Sequence, residues 1–468
     1  GQTPKAVALA EKITKQHPAN AEFFNLLGVA KRQAGKPADA KAAFEQAVKL
    51  DGKLASPRLN LARMEIAEKA YDAAATRLAG VLKADDKNAE AMFEMAVLSE
   101  RRNQLPEAQR WLEKTVDSAN PREVRWPLAL AEFHLRHGRP GPALEAAKTA
   151  SSRSPEDLVV LMTLARMQLA NKDAASARST LTTATRVAEY NAPMQVQIAL
   201  LELAANHAAG AAYSLEKALS GQPDFLPAQA LMAETELRMG EPAKAEKRAR
   251  AILEKHPKKA IGHSLLGDIA LSRGQVTEAQ EAFRRAHQTE PSTDTLLRLF
   301  RSHAGKDDKT GLQLADQWLK THPKDAAVLR ALADGQARTG NYAAARKSYE
   351  SLLKLLPEDG AILNNLANVL FRLKDPSAVK IAEQAVANSP GNAYAIDTLG
   401  WILFQNGDVE RALQYLRDAR LRVPESSEIR YHLAAALSKA GRKAEARQEL
   451  ADALKDRSGF DGIEDARR

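Results

Sequence analysis

Few residues in this sequence combine a reactive type with a spacing that could do chemistry. His134 and His137 lie three apart, so on a helix both imidazoles would share a face and could chelate a metal ion. The competing reading is that His134 fills a packing position and His137 ends the helix. His17-Pro18, His256-Pro257 and His322-Pro323 repeat one dipeptide at one place in a periodic pattern. That recurrence points to a helix-terminus role, favourable to the helix dipole when the ring is protonated, rather than to catalysis. Lys247, Arg248, Arg250, Lys255, Lys258 and Lys259, broken by Glu254, form the densest basic run. It reads as an exposed helix face, with an anionic ligand as the alternative. No G-x-x-x-x-G-K, G-x-G-x-x-G, G-x-S-x-G or H-E-x-x-H element occurs. With no converging acid, base or nucleophile, the expectation is a non-enzyme with no catalytic residue, metal or cofactor.

The elements that would have to position a site are helices. The chain has 468 residues, 44% hydrophobic, 27% charged and only 5% aromatic. Its richness in Ala, Leu, Glu, Lys and Arg favours helix over strand, and the fold class is all-α. Cysteine is absent, which excludes disulfides and thiolate metal sites and suits a periplasmic or a cytoplasmic address. No apolar stretch approaches the roughly 18 to 20 uncharged residues a membrane span needs. Gly1 to Pro4 shows no charged-then-apolar leader, and Pro4 to His17 reads as the second helix of a repeat without its first. The chain is therefore expected to begin inside a longer parent. The net charge of +9 comes from 68 basic and 59 acidic residues interleaved along the helices. It reads as a solvated basic surface, and nucleic acid is not expected as a partner.

Helix-ending prolines fall at Pro223, Pro257, Pro291, Pro323, Pro357, Pro390 and Pro424, a period of about 34. Within the period comes a Leu followed by Gly or Ala, as at Leu27-Gly28, Leu164-Ala165, Leu266-Gly267 and Leu399-Gly400. About seven residues later stands a turn glycine, at Gly35, Gly138, Gly240, Gly274, Gly340, Gly407 and Gly441. Five residues beyond each turn is an alanine such as Ala40, Ala177 or Ala279, and four further a large apolar residue such as Phe44, Leu181 or Phe283. Small beside large at helical spacing is a packing code.

These positions resemble the tetratricopeptide repeat over nearly the whole chain. The resemblance implies a right-handed superhelical solenoid of about 13 helix-turn-helix repeats. Residues 1–20 form a partial repeat (second helix), 21–291 repeats 1–8, 292–325 an irregular short repeat, 326–455 repeats 10–13, and 456–468 a polar tail. No hairpin can bury its apolar face alone, so stability comes from stacking. The short unit and the Lys374-Asp375-Pro376 turn, which lacks glycine, are where a bend or local opening is expected.

By the same resemblance the first helix of each hairpin lines a concave groove, through its second, fifth, sixth and ninth positions. In mid-chain these are mixed and rather apolar: Val159, Met162, Thr163 and Arg166, then Val196, Gln197 and Leu200, then Ala230, Leu231 and Glu234. Toward the C-terminus they become Asn364, Asn365, Asn368, Phe371, Arg372, Tyr394, Asp397, Thr398, Trp401, Phe404, Tyr431 and His432. Amides can hydrogen-bond an extended backbone or sugar hydroxyls, and aromatic faces can stack on either. Two readings stand: a contact patch for a partner, or aromatics that seal adjacent hairpins beside solvated asparagines. The ninth position (Val29, Arg63, Val97, Glu132, Arg166) does not suit a chaperone-tail clamp. Asn at the sixth position, only Asn60 and Asn365, does not suit the ladder of the O-linked N-acetylglucosamine transferase superhelix.

The stretches Asp397-Thr398-Leu399-Gly400-Trp401, Gly407-Asp408-Val409-Glu410-Arg411-Ala412, Glu428-Ile429-Arg430-Tyr431-His432-Leu433 and Ala440-Gly441-Arg442-Lys443-Ala444 resemble bacterial repeat proteins of exopolysaccharide export. In particular they look like the periplasmic repeat protein of the PEP-CTERM and exosortase system. That resemblance implies a periplasmic scaffold with protein partners in its groove. The rival is a regulatory or substrate-recruiting segment of a larger enzyme such as a glycosyltransferase. A third reading is direct binding of exopolysaccharide.

Overall fold

In the computed structural model, which describes residues 2–455 together with 463 and 464, thirteen left-handed backbone positions pace the chain. They are Gly35, Lys69, Asn103, Gly138, Lys172, Asn206, Gly240, Gly274, Gly305, Gly340, Lys374, Gly407 and Gly441. Twelve of them stand between the two helices of one hairpin, and Gly240 ends the first unit. Glycine takes this conformation freely, whereas at Lys69, Lys172 and Lys374 the Cβ costs about 1–2 kcal/mol.

The described residues form helices and no strand, in two units, one ending at Gly240 and the other beginning at Glu241. The first unit starts with a lone second helix, α1 (Gln2–Gln16). Its hairpins are α2 (Ala21–Gln33) with α3 (Pro37–Leu50), α4 (Ala55–Ala67) with α5 (Tyr71–Ala84), and α6 (Ala89–Arg101) with α7 (Leu105–Ser118). Then come α8 (Arg125–Arg136) with α9 (Pro140–Arg153), α10 (Leu158–Ala170) with α11 (Ala174–Val187), α12 (Ala192–Ala204) with α13 (Ala208–Gly221), and α14 (Leu226–Arg238). The second unit starts with α15 (Pro242–Lys255). Its hairpins are α16 (Ile261–Ser272) with α17 (Val276–Thr289), α18 (Thr293–His303) with α19 (Asp308–Thr321), and α20 (Ala326–Arg338) with α21 (Tyr342–Leu355). They continue as α22 (Gly360–Arg372) with α23 (Ala378–Asn388), α24 (Ala393–Gln405) with α25 (Val409–Arg422), and α26 (Ser427–Lys439) with α27 (Lys443–Ala453). Each unit is thus an all-α stack of tetratricopeptide-like hairpins. The polar tail expected at 456–468 lies, apart from Ile463 and Glu464, outside the described residues.

Local chemistry explains the helix limits. Most first helices start behind a polar side chain that accepts backbone N–H groups, as Asn20, Asp157, Asp359, Asn392 and Ser426 do. Such a cap is worth about 1 kcal/mol. Several second helices carry proline in their first turn, where no N–H is needed: Pro37, Pro106, Pro140 and Pro242.

The small-beside-large code is the interior. Ala40, Ala108, Ala143, Ala177, Ala211, Ala245, Ala279, Ala345 and Ala412 have no exposure at all, nor do Phe44, Leu78, Leu181, Leu215 and Leu416. A Cβ on Gly28 would overlap the Phe44 ring, and one on Gly267 the Phe283 ring. At Ala62, Ala165 and Ala199 the residue sixteen positions on is Leu78, Leu181 or Leu215, while Ala333 is followed by Tyr349 and Gly400 by Leu416. Two irregularities are absorbed locally. The short repeat loses its length in α18, which has 11 residues and a Ser292–Thr295 capping box. The Lys374 turn is closed by Asp375, which accepts from the Ser377 N–H (2.9 Å) and from Arg346 (2.8 Å), and α23 is cut to 11 residues.

Within each unit, contacts between successive first helices recur, as for α4 with α6, α8 with α10, α22 with α24, and α24 with α26. Contacts between successive second helices are sparser, as for α11 with α13. The more closely set helices line the inside of a curve, so each unit presents its first helices on an inner face.

Candidate functional site

On the inner face of the second unit, α22, α24 and α26 enclose a cleft of about 310 Å³. It gathers Asn364, Asn368 and Arg372 from α22, Tyr394, Asp397, Thr398 and Trp401 from α24, and His432 from α26, together with Phe371 and Glu428. Asn364, Asn368 and Arg372 are four residues apart, so they run along one stripe of α22. The structure brings nine of the twelve residues singled out in the sequence to this cleft and leaves Asn365, Phe404 and Tyr431 outside its lining. Asn365 donates instead to Asp334 (3.3 Å), and Tyr431 lines a neighbouring groove over α26 and α27.

The floor is a buried, polar and aromatic stack. His432 Nδ1 lies 2.9 Å from Asp397 Oδ2 and 3.1 Å from Oδ1, with both side chains almost fully buried. Trp401 stacks on the imidazole at 4.0 Å between centroids and 18° between planes, stacks on Phe404 at 5.2 Å, and meets Tyr431 tilted at 5.9 Å. These contacts join α24 to α26 and fix the indole without a ligand. Asp397, Thr398 and His432 are therefore wall and floor, while Asn368, Arg372 and Tyr394 are exposed. Tyr394 is 57% exposed, which for an aromatic on an inner face leaves a ring available for contact. Asn368 Nδ2 reaches Thr398 Oγ1 only at 3.4 Å, and Asn364 Oδ1 is buried without a partner. Both amides retain hydrogen-bonding capacity that the chain itself does not use. Beside the cleft, Tyr349 donates its hydroxyl to Asp334 at 2.5 Å. Burial pushes the Tyr349 pKa up, and the Asp334 carboxylate adds to the effect. It stays a neutral donor.

The first unit's inner face is different. Asn60 donates to Asn25 (3.0 Å), Arg63 bonds Glu90 (2.8 Å) and Glu94 (2.6 Å), Arg125 also bonds Glu90, and Arg166 bonds Glu132. These pairs cross from each first helix to the next, so the charges read at the ninth position neutralise one another between repeats. In the apolar middle stretch, Val159 and Leu200 are 60% and 45% exposed, whereas Thr163, Val196 and Leu231 belong to the core.

The remaining sequence candidates fall to structural roles. His134 is 4% exposed and burial pushes its pKa down, with Arg139 adding to the effect. His137 sits at the C-cap of α8 and holds Glu100 at 2.9 Å. Burial disfavours the Glu100 carboxylate, but His137 and Arg136 more than offset it and leave its pKa lowered. No group of three metal-ligating side chains exists among the described residues. His256 and His322 occupy helix C-caps, and His322 stacks on Trp318 at 3.9 Å. In the basic run Arg250 is paired with Glu246 (2.7 Å) and Lys259 with Glu290 (2.9 Å). No helix among the described residues is long and apolar enough to cross a membrane.

Comparison with known proteins agrees on the repeat. Two profiles of the tetratricopeptide repeat match residues 1–55 and 26–79, and residues 65–131 and 202–269. The tetratricopeptide domain of cytochrome c-type biogenesis protein H matches 248–362, and subunit 3 of the anaphase-promoting complex, or cyclosome, matches 373–453. No curated protein matches the chain. A solved structure, the APC/C hetero-tetramer Cut9-Hcn1, aligns over 97% of this chain and 97% of that chain, at 14% identity and a TM-score of 0.40. With its helical hairpins, its paced turns and the family-model matches together, the chain is a tetratricopeptide-repeat protein.

Proposed function

We propose that the cleft of α22, α24 and α26 docks an extended segment of a partner protein. The chain would then act as a periplasmic scaffold in exopolysaccharide biosynthesis and export or in PEP-CTERM protein sorting. Tetratricopeptide repeats are protein–protein interaction scaffolds and typically non-catalytic. The observation that carries the reading is the juxtaposition of an exposed tyrosine, a fixed indole and two under-used amides on two consecutive first helices. Amides spaced four residues along a helix are about 6 Å apart, close to the two-residue repeat of an extended chain. A backbone laid along α22 could therefore meet both in turn. Cellular role and address rest on the resemblance of the motifs between Asp397 and Ala444 to exopolysaccharide-export repeat proteins.

The test is a quantitative pull-down from periplasmic extract with the wild type and with Asn368→Ala/Tyr394→Ala, both exposed positions. Loss of envelope or export proteins from the variant by at least tenfold is expected. Equal recovery by both would remove the cleft from consideration, and enrichment of cytoplasmic proteins alone would remove the address.

A further inference from the structure

The outer side of the first unit carries a second kind of surface. Tyr190, in the loop between α11 and α12, is 61% exposed, and Tyr213 on α13 is 57% exposed. Both rings face one ammonium: Lys217 Nζ lies 5.5 Å from the Tyr190 centroid and 5.9 Å from that of Tyr213. Neither tyrosine is demanded by the repeat. Tyr190 stands where other units have Asp224, Lys258, Lys324, Glu358 or Glu425, just after the closing proline. Tyr213 stands where they have Thr76, Arg110, Ser179, Lys247, Glu281 or Lys347. Two aromatics at positions that are elsewhere mostly polar and never aromatic, in neighbouring repeats, thus converge on one lysine.

The chain invests in holding them. Glu189, in the place of the closing proline, is left-handed (φ 49), while every other non-glycine residue with positive φ among the described residues lies in a turn within a repeat. Such strain persists only where its surroundings over-determine it. Here the wholly buried Gln195 donates to Glu189 O (2.6 Å) and Thr185 O (2.8 Å), and Gly221 lies so close to the Tyr190 backbone that a Cβ there would overlap it. Lys217 is anchored to the same Thr185 carbonyl (3.3 Å), and Thr185 bonds the buried Ser214 (2.9 Å). The ammonium and the Tyr190 loop therefore share one buried polar base.

We infer that Tyr190, Tyr213 and Lys217 form a binding platform for an uncharged polysaccharide. The two exposed rings offer faces for the C–H faces of pyranose rings, and the ammonium and phenol groups offer hydrogen bonds to hydroxyl oxygens. The charges near the platform in the chain select against polyanions: Glu189, before Tyr190, and Glu216, before Lys217, are both exposed, and Arg186 is already paired with Glu156 (2.7 Å). An extended peptide would need a ladder of backbone partners, and the platform has none. This platform is independent of the inner cleft and stands if the cleft binds nothing.

The test is affinity electrophoresis of the intact chain in native gels cast with dextran, galactomannan or xylan, with alginate as the polyanion control. At least one neutral polymer should retard the wild type. Tyr190→Ala/Tyr213→Ala should weaken that binding at least tenfold at unchanged helicity by circular dichroism, because both rings are exposed, while Tyr190→Phe/Tyr213→Phe should keep most of it. Absence of retardation in all three neutral gels, equal retardation of the alanine variant, or retardation by alginate alone would each overturn the platform.

Discussion

Replacing Gly267 with alanine should destabilise the α16–α17 hairpin, although alanine is the better helix former. The new Cβ would overlap the Phe283 ring, which is 1% exposed and has nowhere to swing. Overpacking of this kind costs about 1–3 kcal/mol, and the helix-propensity gain returns at most about 1 kcal/mol. The expected net loss is about 1–2 kcal/mol. Phe283→Leu alone leaves a cavity and costs on the order of 1 kcal/mol. The double variant rebuilds the Ala165–Leu181 pairing used elsewhere in the chain. It should therefore recover most of both losses, a coupling of about 1–2 kcal/mol. Gly141→Ala is the control: no heavy atom lies within 4 Å of its Cβ position, and it should be neutral or mildly stabilising. Long repeat arrays need not unfold in one step, so the readout is hydrogen exchange of the α16 and α17 amides rather than a single midpoint. A neutral Gly267→Ala, or losses that simply add in the double variant, would refute the size-complementarity reasoning.

Other outcomes follow from the same geometry. Lys172→Gly and Lys374→Gly should each stabilise their hairpins by about 0.5–1 kcal/mol, since relief of the left-handed lysine exceeds the entropy glycine adds to the unfolded chain; local exchange rates check this. Asp397→Ala leaves buried His432 without its carboxylate and should loosen α24 against α26 by about 1–3 kcal/mol, again read from amide exchange. Burial raises the Glu202 pKa despite its bond to His207 (2.8 Å), so the native state disfavours the charged form relative to the unfolded chain. The advantage of a raised acid is present below its unfolded pKa and lost as pH climbs through its folded one. Glu202→Gln should therefore gain on the wild type between pH 4 and pH 7 in urea unfolding, and a difference that does not change with pH would exclude this linkage.

The periodic part of the fold was legible because packing repeats what sequence repeats. Leu-Gly pairs, turn glycines and the Ala–large spacing recur since each hairpin solves the same stacking problem. Less visible was that Lys69, Asn103, Lys172 and Asn206 adopt the same turn without glycine; counting by 34 from Gly35 finds the first two and from Gly138 the other two. At the inner face, the register placed nine side chains around one cleft but could not tell which would be buried. Burial of Asp397 and His432 depends on how closely α26 approaches α24, which no single repeat encodes. Glu428 was missed although it holds the second position of its unit, the rule used for its neighbours. Tyr190 and Tyr213 are invisible to a reading of the repeat, because their signal is departure from the pattern that defines it.

Site-specific photocrosslinking decides most directly whether the inner face does the work. A photoreactive residue is placed at Tyr394 in the cleft, or at the exposed Gln414 on α25, the second helix of the same repeat. A discrete adduct of the full chain with a partner protein from position 394, absent from 414, is the expected result. Adducts from 414 and none from 394 would contradict it.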